Sequence, residues 1–260
     1  MGPSRLRYGT RRGQRADLWL PAERDPDGSL PVVVLIHGGF WRSPYTKVLM
    51  TRLARSVRSQ GWAAWNVEYR RVGLLGGGGG WPATLLDVAV AIDHLLDVDG
   101  VDVERVVVCG HSAGGQLALW AAGRSRLPAD APGAGPVVAV RGAVALAGVT
   151  DLRRIAERGA GNGATAVCRL LGGRPEQVGE RYAVASPIEL LPLGVPSVLI
   201  HGLDDQTVAP SSSERFAKRA VDAGDETVYV PIAGAAHRSM LDPRGSGWAA
   251  ALVHLRRLLA

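Results

Sequence analysis

The chain is short of several things at once, and each shortage narrows what it can be. It has 2 cysteines in 260 residues, too few for a disulfide framework. Cys109 ends an apolar run and Cys168 falls in a helical pattern, so both read as reduced packing residues of a cytoplasmic protein. Lysine is almost missing: Lys47 and Lys218 are the only two among 30 basic residues, and the rest are arginine. The formal charge of +6 is scattered, with no basic run and no interleaved aromatics, so no nucleic-acid partner is expected. No stretch approaches the ~18 uninterrupted apolar residues of a membrane span. Met1–Arg15 is polar and basic with no apolar core, which argues against a secretory signal and a membrane partner. Metal-ligand spacings such as His-Glu-x-x-His are missing too, so no catalytic metal is expected. Internal repeats and linkers are also lacking, and residues 1–260 read as a single domain.

What is present is an alternation of strand and helix patterns. Ala16–Leu20 reads as an edge strand, Ala22–Ser29 as a hairpin-like loop, and the β-branched run Pro31–Ile36 as a strand buried on both faces. Thr46–Gln60 has helical periodicity and is closed by Gly61; Trp62–Tyr69 is a strand, and Pro82 opens a helix running to about Leu96. Further strands are expected at Val103–Cys109, Val137–Leu146, Val195–Ile200 and Thr227–Pro231, with helices at Gln116–Ala122, Ser211–Ala223 and Gly247–Leu259. Asp151–Pro187 breaks the rhythm with short helical pieces and reads as a small cap insertion. The order β-β-β-α-β-α-β-α-β-(cap)-β-α-β-α calls for an α/β fold, a mostly parallel central sheet with helices on both faces.

The chemistry centres on Val106-Val107-Val108-Cys109-Gly110-His111-Ser112-Ala113-Gly114-Gly115. An apolar run entering Gly-x-Ser-x-Gly and leaving as a helix is a nucleophile elbow, with Ser112 on a strained turn above a helix N-terminus. A serine nucleophile needs a base and a group to orient that base. In an open parallel sheet these belong in loops after strands. His237, in the small-residue loop Gly234-Ala235-Ala236-His237, is the candidate base. Asp204 and Asp205, after the strand ending at Ile200, compete for the orienting role; neighbouring loop side chains diverge, so one of them is expected to reach His237. Of the other histidines, His111 should pack in the core, His201 should bond nearby backbone, and His94 and His254 lie on helices. Oxyanion donors are expected from the backbone N–H of Ala113 and, in the loop His37-Gly38-Gly39-Phe40-Trp41, from Gly39 and Phe40.

These motifs in this order, with His201-Gly202-x-x-Asp205-x-x-Val208, resemble the α/β-hydrolase superfamily over nearly the whole chain. His-Gly-Gly-x-Trp is similar to the motif of kynurenine formamidases (arylformamidases) and to that of esterases of the hormone-sensitive-lipase and prolyl-oligopeptidase-like groups. The resemblance implies a cofactor-independent serine hydrolase with Ser112 as nucleophile, His237 as base and Asp205 as its orienter, the family's aspartate falling four residues after the histidine of His-Gly. It implies Gly39, Phe40 and Ala113 as the oxyanion hole. Hormone-sensitive-lipase relatives usually have a third glycine where this chain has Phe40, which disfavours a typical lipase, and the short cap argues against long acyl chains. Trp41 and Trp81 are candidate walls for a flat substrate, and Gly76–Gly80 a candidate flap. The implied partner is a small-molecule ester or amide; a homodimer is left open. Same-fold acyltransferases, cyclases or lyases, a small peptidase, and a binding protein on an inactive scaffold are the competing readings.

Overall fold

Each position from Val32 to Ile36 is apolar and wholly buried, and a strand with such a run must be covered on both faces. Val32, Val34 and Ile36 pack into one core layer and Val33 and Leu35 into the other, the two-residue period of a strand. The computed structural model describes residues 2–23, 28–159 and 161–260. Among the described residues there are eight strands, β1 (Ser4–Arg7), β2 (Arg15–Trp19), β3 (Leu30–Ile36), β4 (Ala63–Glu68), β5 (Val101–His111), β6 (Gly142–Leu146), β7 (Ser197–Gly202) and β8 (Thr227–Ile232). They form one sheet in the order β1-β2-β4-β3-β5-β6-β7-β8. Pairing is antiparallel at β1–β2 and β2–β4 and parallel elsewhere.

The α-helices are α1 (Thr51–Ser59), α2 (Ala83–Asp93), α3 (Ala113–Ala122), α4 (Leu152–Glu157), α5 (Asn162–Leu171), α6 (Gly179–Ala185), α7 (Pro210–Asp222) and α8 (Ser246–Leu259). Leu53 and Val57 of α1 and Trp248 and Leu255 of α8 join Val33, Leu35 and Val107 on one face. Leu85 of α2, Leu117 of α3 and Phe216 of α7 join Val34 and Val108 on the other. This is the mostly parallel sheet with helices on both faces expected from the strand–helix rhythm, and it agrees with the α/β-hydrolase fold that the resemblance implies. Between β6 and β7, α4, α5 and α6 anchor to the second layer through Leu152, Val167, Leu170 and Tyr182.

Four local expectations need correction. Ala16–Leu20, expected at the edge, is β2 and lies inside it; the edge is β1, one of three strands before the first helix, for which the sequence offers no range because it has no buried residue to show a period. β2 and β3 are not hairpin partners, since β4 lies between them; Arg24–Asp27 of the expected hairpin-like loop lie outside the described residues. The helix expected over 46–60 opens as a 3-10 turn, Lys47–Met50, capped by the Thr46 hydroxyl, before α1 begins. The strand expected from Val137 starts at Gly142, because the N–H groups of Val137 and Val138 donate to the Asp93 carboxylate at 3.2 Å each instead of joining the ladder.

Candidate active site

β5 delivers Ser112 at the carboxyl edge of the sheet. Its backbone angles, φ 57° and ψ −118°, are strained for a residue with a side chain, and it is the N-cap of α3. The flanking glycines are required by contact: a Cβ on Gly110 would lie 2.0 Å from the Gly114 carbonyl oxygen, and one on Gly114 would lie 2.1 Å from that of Ile36. Close approach of the turn to its own helix and to β3 therefore dictates the Gly-x-Ser-x-Gly spacing. The Ser112 N–H is held by Leu146 O at 2.9 Å. Among the described residues none hydrogen-bonds the Ser112 hydroxyl, and the residue opens on a cavity of about 240 Å³.

The loop after β7 settles which aspartate meets His237. Asp204 is exposed, and its backbone N–H is bonded to Ala235 O at 3.0 Å. Asp205 is buried and accepts from His237 Nδ1 at 2.6 Å and His201 Nε2 at 3.0 Å on Oδ2. Its Oδ1 accepts the N–H groups of Thr207 at 2.7 Å and Val208 at 3.0 Å. Burial alone would raise the Asp205 carboxyl, but the bonds from His201, His237 and the two backbone amides outweigh it and hold the group well below the usual carboxylate range. His201 does bond nearby backbone, the Val208 carbonyl at 3.0 Å, and it also joins Asp205 to Ser213 Oγ at 2.7 Å.

His111 does more than pack in the core. Its Nε2 donates to the His237 carbonyl at 3.0 Å, and its ring lies 4.7 Å from the His237 ring. Burial, helped by the neighbouring His237, pushes its pKa down to about 3, so it supports the candidate base as a neutral ring. Its Nδ1 has no partner among the described residues.

The loop after β3 lies against the serine. A Cβ on Gly38 would sit 2.7 Å from His111 O and 3.0 Å from Ser112 Cβ. Gly39, Phe40 and Trp41 follow with φ of 113°, 56° and 52°, a sequence of left-handed residues that turns successive amides. Among the described residues the N–H groups of Gly39 and Phe40 are not hydrogen-bonded, and Ala113, first in α3, has no intrahelical acceptor. Beneath the loop His37 is clamped: Nδ1 meets Gly38 O at 2.7 Å, Nε2 meets Glu68 Oε1 at 3.0 Å, and its ring stacks on Tyr69 at 4.3 Å. Burial pushes the Glu68 carboxyl up, but the His37 bond and charge, Arg71 and the Lys47 N–H together bring it below its ordinary value. Trp41 is buried, with Nε1 donating to Gln116 Oε1 at 2.8 Å.

Phe40 and Trp41 line the cavity with Val149, Ile155 and Val167. Trp81 is not among the lining residues, contrary to the expectation that it forms a wall; its side chain packs on the core, and its backbone N–H donates to Leu170 O at 2.6 Å. The glycine run folds back on the chain before it: Cβ atoms on Gly76 and Gly79 would meet Arg71 O at 1.8 Å and Arg70 O at 2.3 Å. Among the described residues no group of His, Cys, Asp and Glu has the arrangement of a metal site, and no helix is long and apolar enough to cross a membrane. The parts the sequence did not disclose are the contacts of His111 with His237, of His201 with Asp205, and of Glu68 and Tyr69 with His37. The one local signal for the last was a charged and an aromatic residue closing a mostly apolar strand.

Comparison with known proteins places this geometry. The chain is 28% identical to esterase LipQ of Mycobacterium tuberculosis, over 85% of its own length and 53% of the relative's. It is 28% identical to esterase LipC of the same organism, over 90% of its length and 59% of the relative's. It thus spans little more than half the length of these relatives. Among solved structures, a truncated form of a carbohydrate esterase from gut microbiota superposes with a TM-score of 0.83 at 19% identity, covering 99% of both chains. Esterase Est2 of Thermogutta terrifontis does so with a TM-score of 0.77 at 23% identity, covering 99% of this chain and 91% of that one. At these identities the likeness is one of fold. The BD-FAE family model matches residues 16–220, most of the chain. The chain belongs to the BD-FAE family and is built on the α/β-hydrolase fold.

Proposed function

We propose that the chain is a serine hydrolase that cleaves small carboxylic esters through an acyl-enzyme. The observation that carries this reading is Ser112, on a strained elbow at the cavity, with His237 oriented by the Asp205 carboxylate at 2.6 Å at the same sheet edge. Asp205 holds the proton on Nδ1, which leaves Nε2 of His237 free to accept one. Ser112 Oγ attacks the ester carbonyl carbon while its proton passes to His237. The carbonyl π pair moves onto oxygen, where the N–H groups of Gly39, Phe40 and Ala113 receive it. Collapse breaks the bond to the alcohol, which leaves with the proton from His237. Water then attacks the acyl-serine by the same route and frees the acid and Ser112.

Residues 151–187 act as a cap on the same domain, with α4 and α5 supplying Ile155 and Val167 to the cavity wall. A cavity of about 240 Å³ suits a small acyl or alcohol group, with Phe40 and Trp41 as its aromatic side. The two free cysteines fit a reducing, cytoplasmic setting. The names of the relatives, esterases LipQ and LipC, support ester over amide. The test is turnover of p-nitrophenyl acetate, p-nitrophenyl octanoate and N-formylkynurenine by the protein and by Ser112→Ala. Cleavage of the acetate that depends on Ser112 is expected. Faster cleavage of N-formylkynurenine would move the reading to a formamidase, and turnover that survives Ser112→Ala would end it.

A further inference from the structure

The cavity that Ser112 lines combines apolar residues, among them Phe40, Val149 and Val167, with a group of cations. Arg154, Arg158 and Arg215 line it, against the single carboxylate of Asp151. Two other arginines with little exposed surface are closely matched: Arg70 with Asp87 at 2.7 Å and Arg124 with Asp93 at 2.7 Å. The cavity arginines have no partner as close. Asp151 spends one oxygen on the Arg154 backbone N–H, as the N-cap of α4, and its other lies 3.8 Å from Arg215. Arg215 Nε is buried with no hydrogen-bond partner among the described residues. Arg154 and Arg158 have exposed side chains, and among the described residues no carboxylate pairs with either. Burial, with the charges of Arg154, Arg158 and Arg219, lowers the Arg215 pKa against the pull of Asp151; the guanidinium is short of negative charge where it stands.

Arg154 lies on α4 and Arg158, four residues on, is its C-cap residue with helical backbone angles, so the two fall on one side of the helix. Arg215 reaches the same space from α7, a separate element. Three cations against one anion leave a net positive charge on a pocket that a candidate nucleophile also lines. A guanidinium donates in a planar fork that matches a carboxylate. We propose that the substrate is an ester carrying a carboxylate, seated on Arg154, Arg158 and Arg215 while its ester carbonyl lies at Ser112. This specificity rests on the esterase reading above and names the substrate class of that site. The hydrolysis is the one already written; the carboxylate takes no part in bond breaking.

The experiment compares two matched pairs. Mono-p-nitrophenyl glutarate against p-nitrophenyl valerate puts the charge on the acyl side, and 4-acetoxybenzoate against its methyl ester puts it on the alcohol side. In at least one pair the anionic ester is expected to have a kcat/KM about tenfold or more above its neutral partner, as for one charge-assisted hydrogen bond. In R154Q/R158Q that ratio should fall by about tenfold or more. The pair that shows the preference identifies the side. Equal kcat/KM in both pairs, or a ratio unchanged in R154Q/R158Q, overturns the proposal even though the esters are cleaved. If no ester is cleaved, the esterase reading fails by itself, and calorimetric titration of the protein with glutarate decides the remaining claim. Heat of binding lost in R154Q/R158Q supports the anion site, and no binding by the unaltered protein overturns it.

Discussion

Replacing Asp205 by Asn changes one atom and should disable His237 without moving it. Asp205 Oδ1 accepts two backbone N–H groups, from Thr207 and Val208, so the Asn carbonyl oxygen must take that place. The amide NH2 is then driven to the Oδ2 position, 2.6 Å from His237 Nδ1 and 3.0 Å from His201 Nε2. His201 Nε2 also faces the Val208 carbonyl at 3.0 Å, so it is a donor and will oppose the new NH2. His237 can relieve its own clash by accepting at Nδ1, which moves its proton to Nε2, the nitrogen that must be empty to take the Ser112 proton. A wrong tautomer of this kind costs ~10⁴ in kcat, about 5.5 kcal/mol at ~1.4 kcal/mol per decade. The assay is kcat for p-nitrophenyl acetate, with thermal melting alongside to separate loss of chemistry from loss of fold. Asp204→Asn, at an exposed side chain, should stay within about twofold, as surface changes usually do. An Asp205→Asn protein that remains folded and keeps kcat within tenfold would refute the reasoning, as would a larger loss for Asp204→Asn.

The remaining expectations concern stability. His111 falls from 6.5 to about 3 on burial, so below 6.5 the unfolded chain binds a proton that the folded chain refuses, and stability drops as pH falls across that window. Between pH 6.5 and about 5 the loss from this residue should be about 2 kcal/mol, and Asp205, whose carboxyl is depressed, adds to it at lower pH. In thermal melts against pH, His111→Phe should give a flatter decline over that range; curves that run parallel to those of the unaltered protein would show that His111 does not carry the effect. Gly114→Ala places a Cβ 2.1 Å from Ile36 O and 2.5 Å from His37 O, both backbone atoms in the sheet and oxyanion loop. It should cost at least ~1–3 kcal/mol, and an unchanged melting temperature would mean that the elbow is not as tightly held as the contact distances require.

What the sequence made legible was local. Gly110, Ser112 and Gly114 are set by contacts within five residues and by β3 next door, so the elbow can be read from spacing. Gly39 is likewise set locally, by a φ of 113° and close contact with Tyr45, whereas Gly38 answers to His111 and Ser112 far along the chain and only its place beside Gly39 marks it. Asp205 was separable from Asp204 only by a family spacing, since both lie in one loop and only the fold shows that one is buried. Contacts between distant segments were not legible. His111 meets His237 across 126 residues and His37 meets Glu68 across 31, and nothing beside either histidine names its partner. Trp81 follows a glycine run, which fixes that the chain turns there but not toward which side. β1 was unreadable for a different reason: with no buried face it has no hydrophobic alternation, and only its pairing to β2 makes it a strand.

The central claim is that Ser112 carries the acyl group. Acid quenching during turnover of p-nitrophenyl acetate, followed by peptide mass mapping, tests it directly. An acetyl group on the peptide spanning the elbow, located at Ser112 and lost together with turnover in Ser112→Ala, is the expected result. Full turnover by Ser112→Ala, or acetyl found on another side chain while Ser112 stays free, would contradict the account.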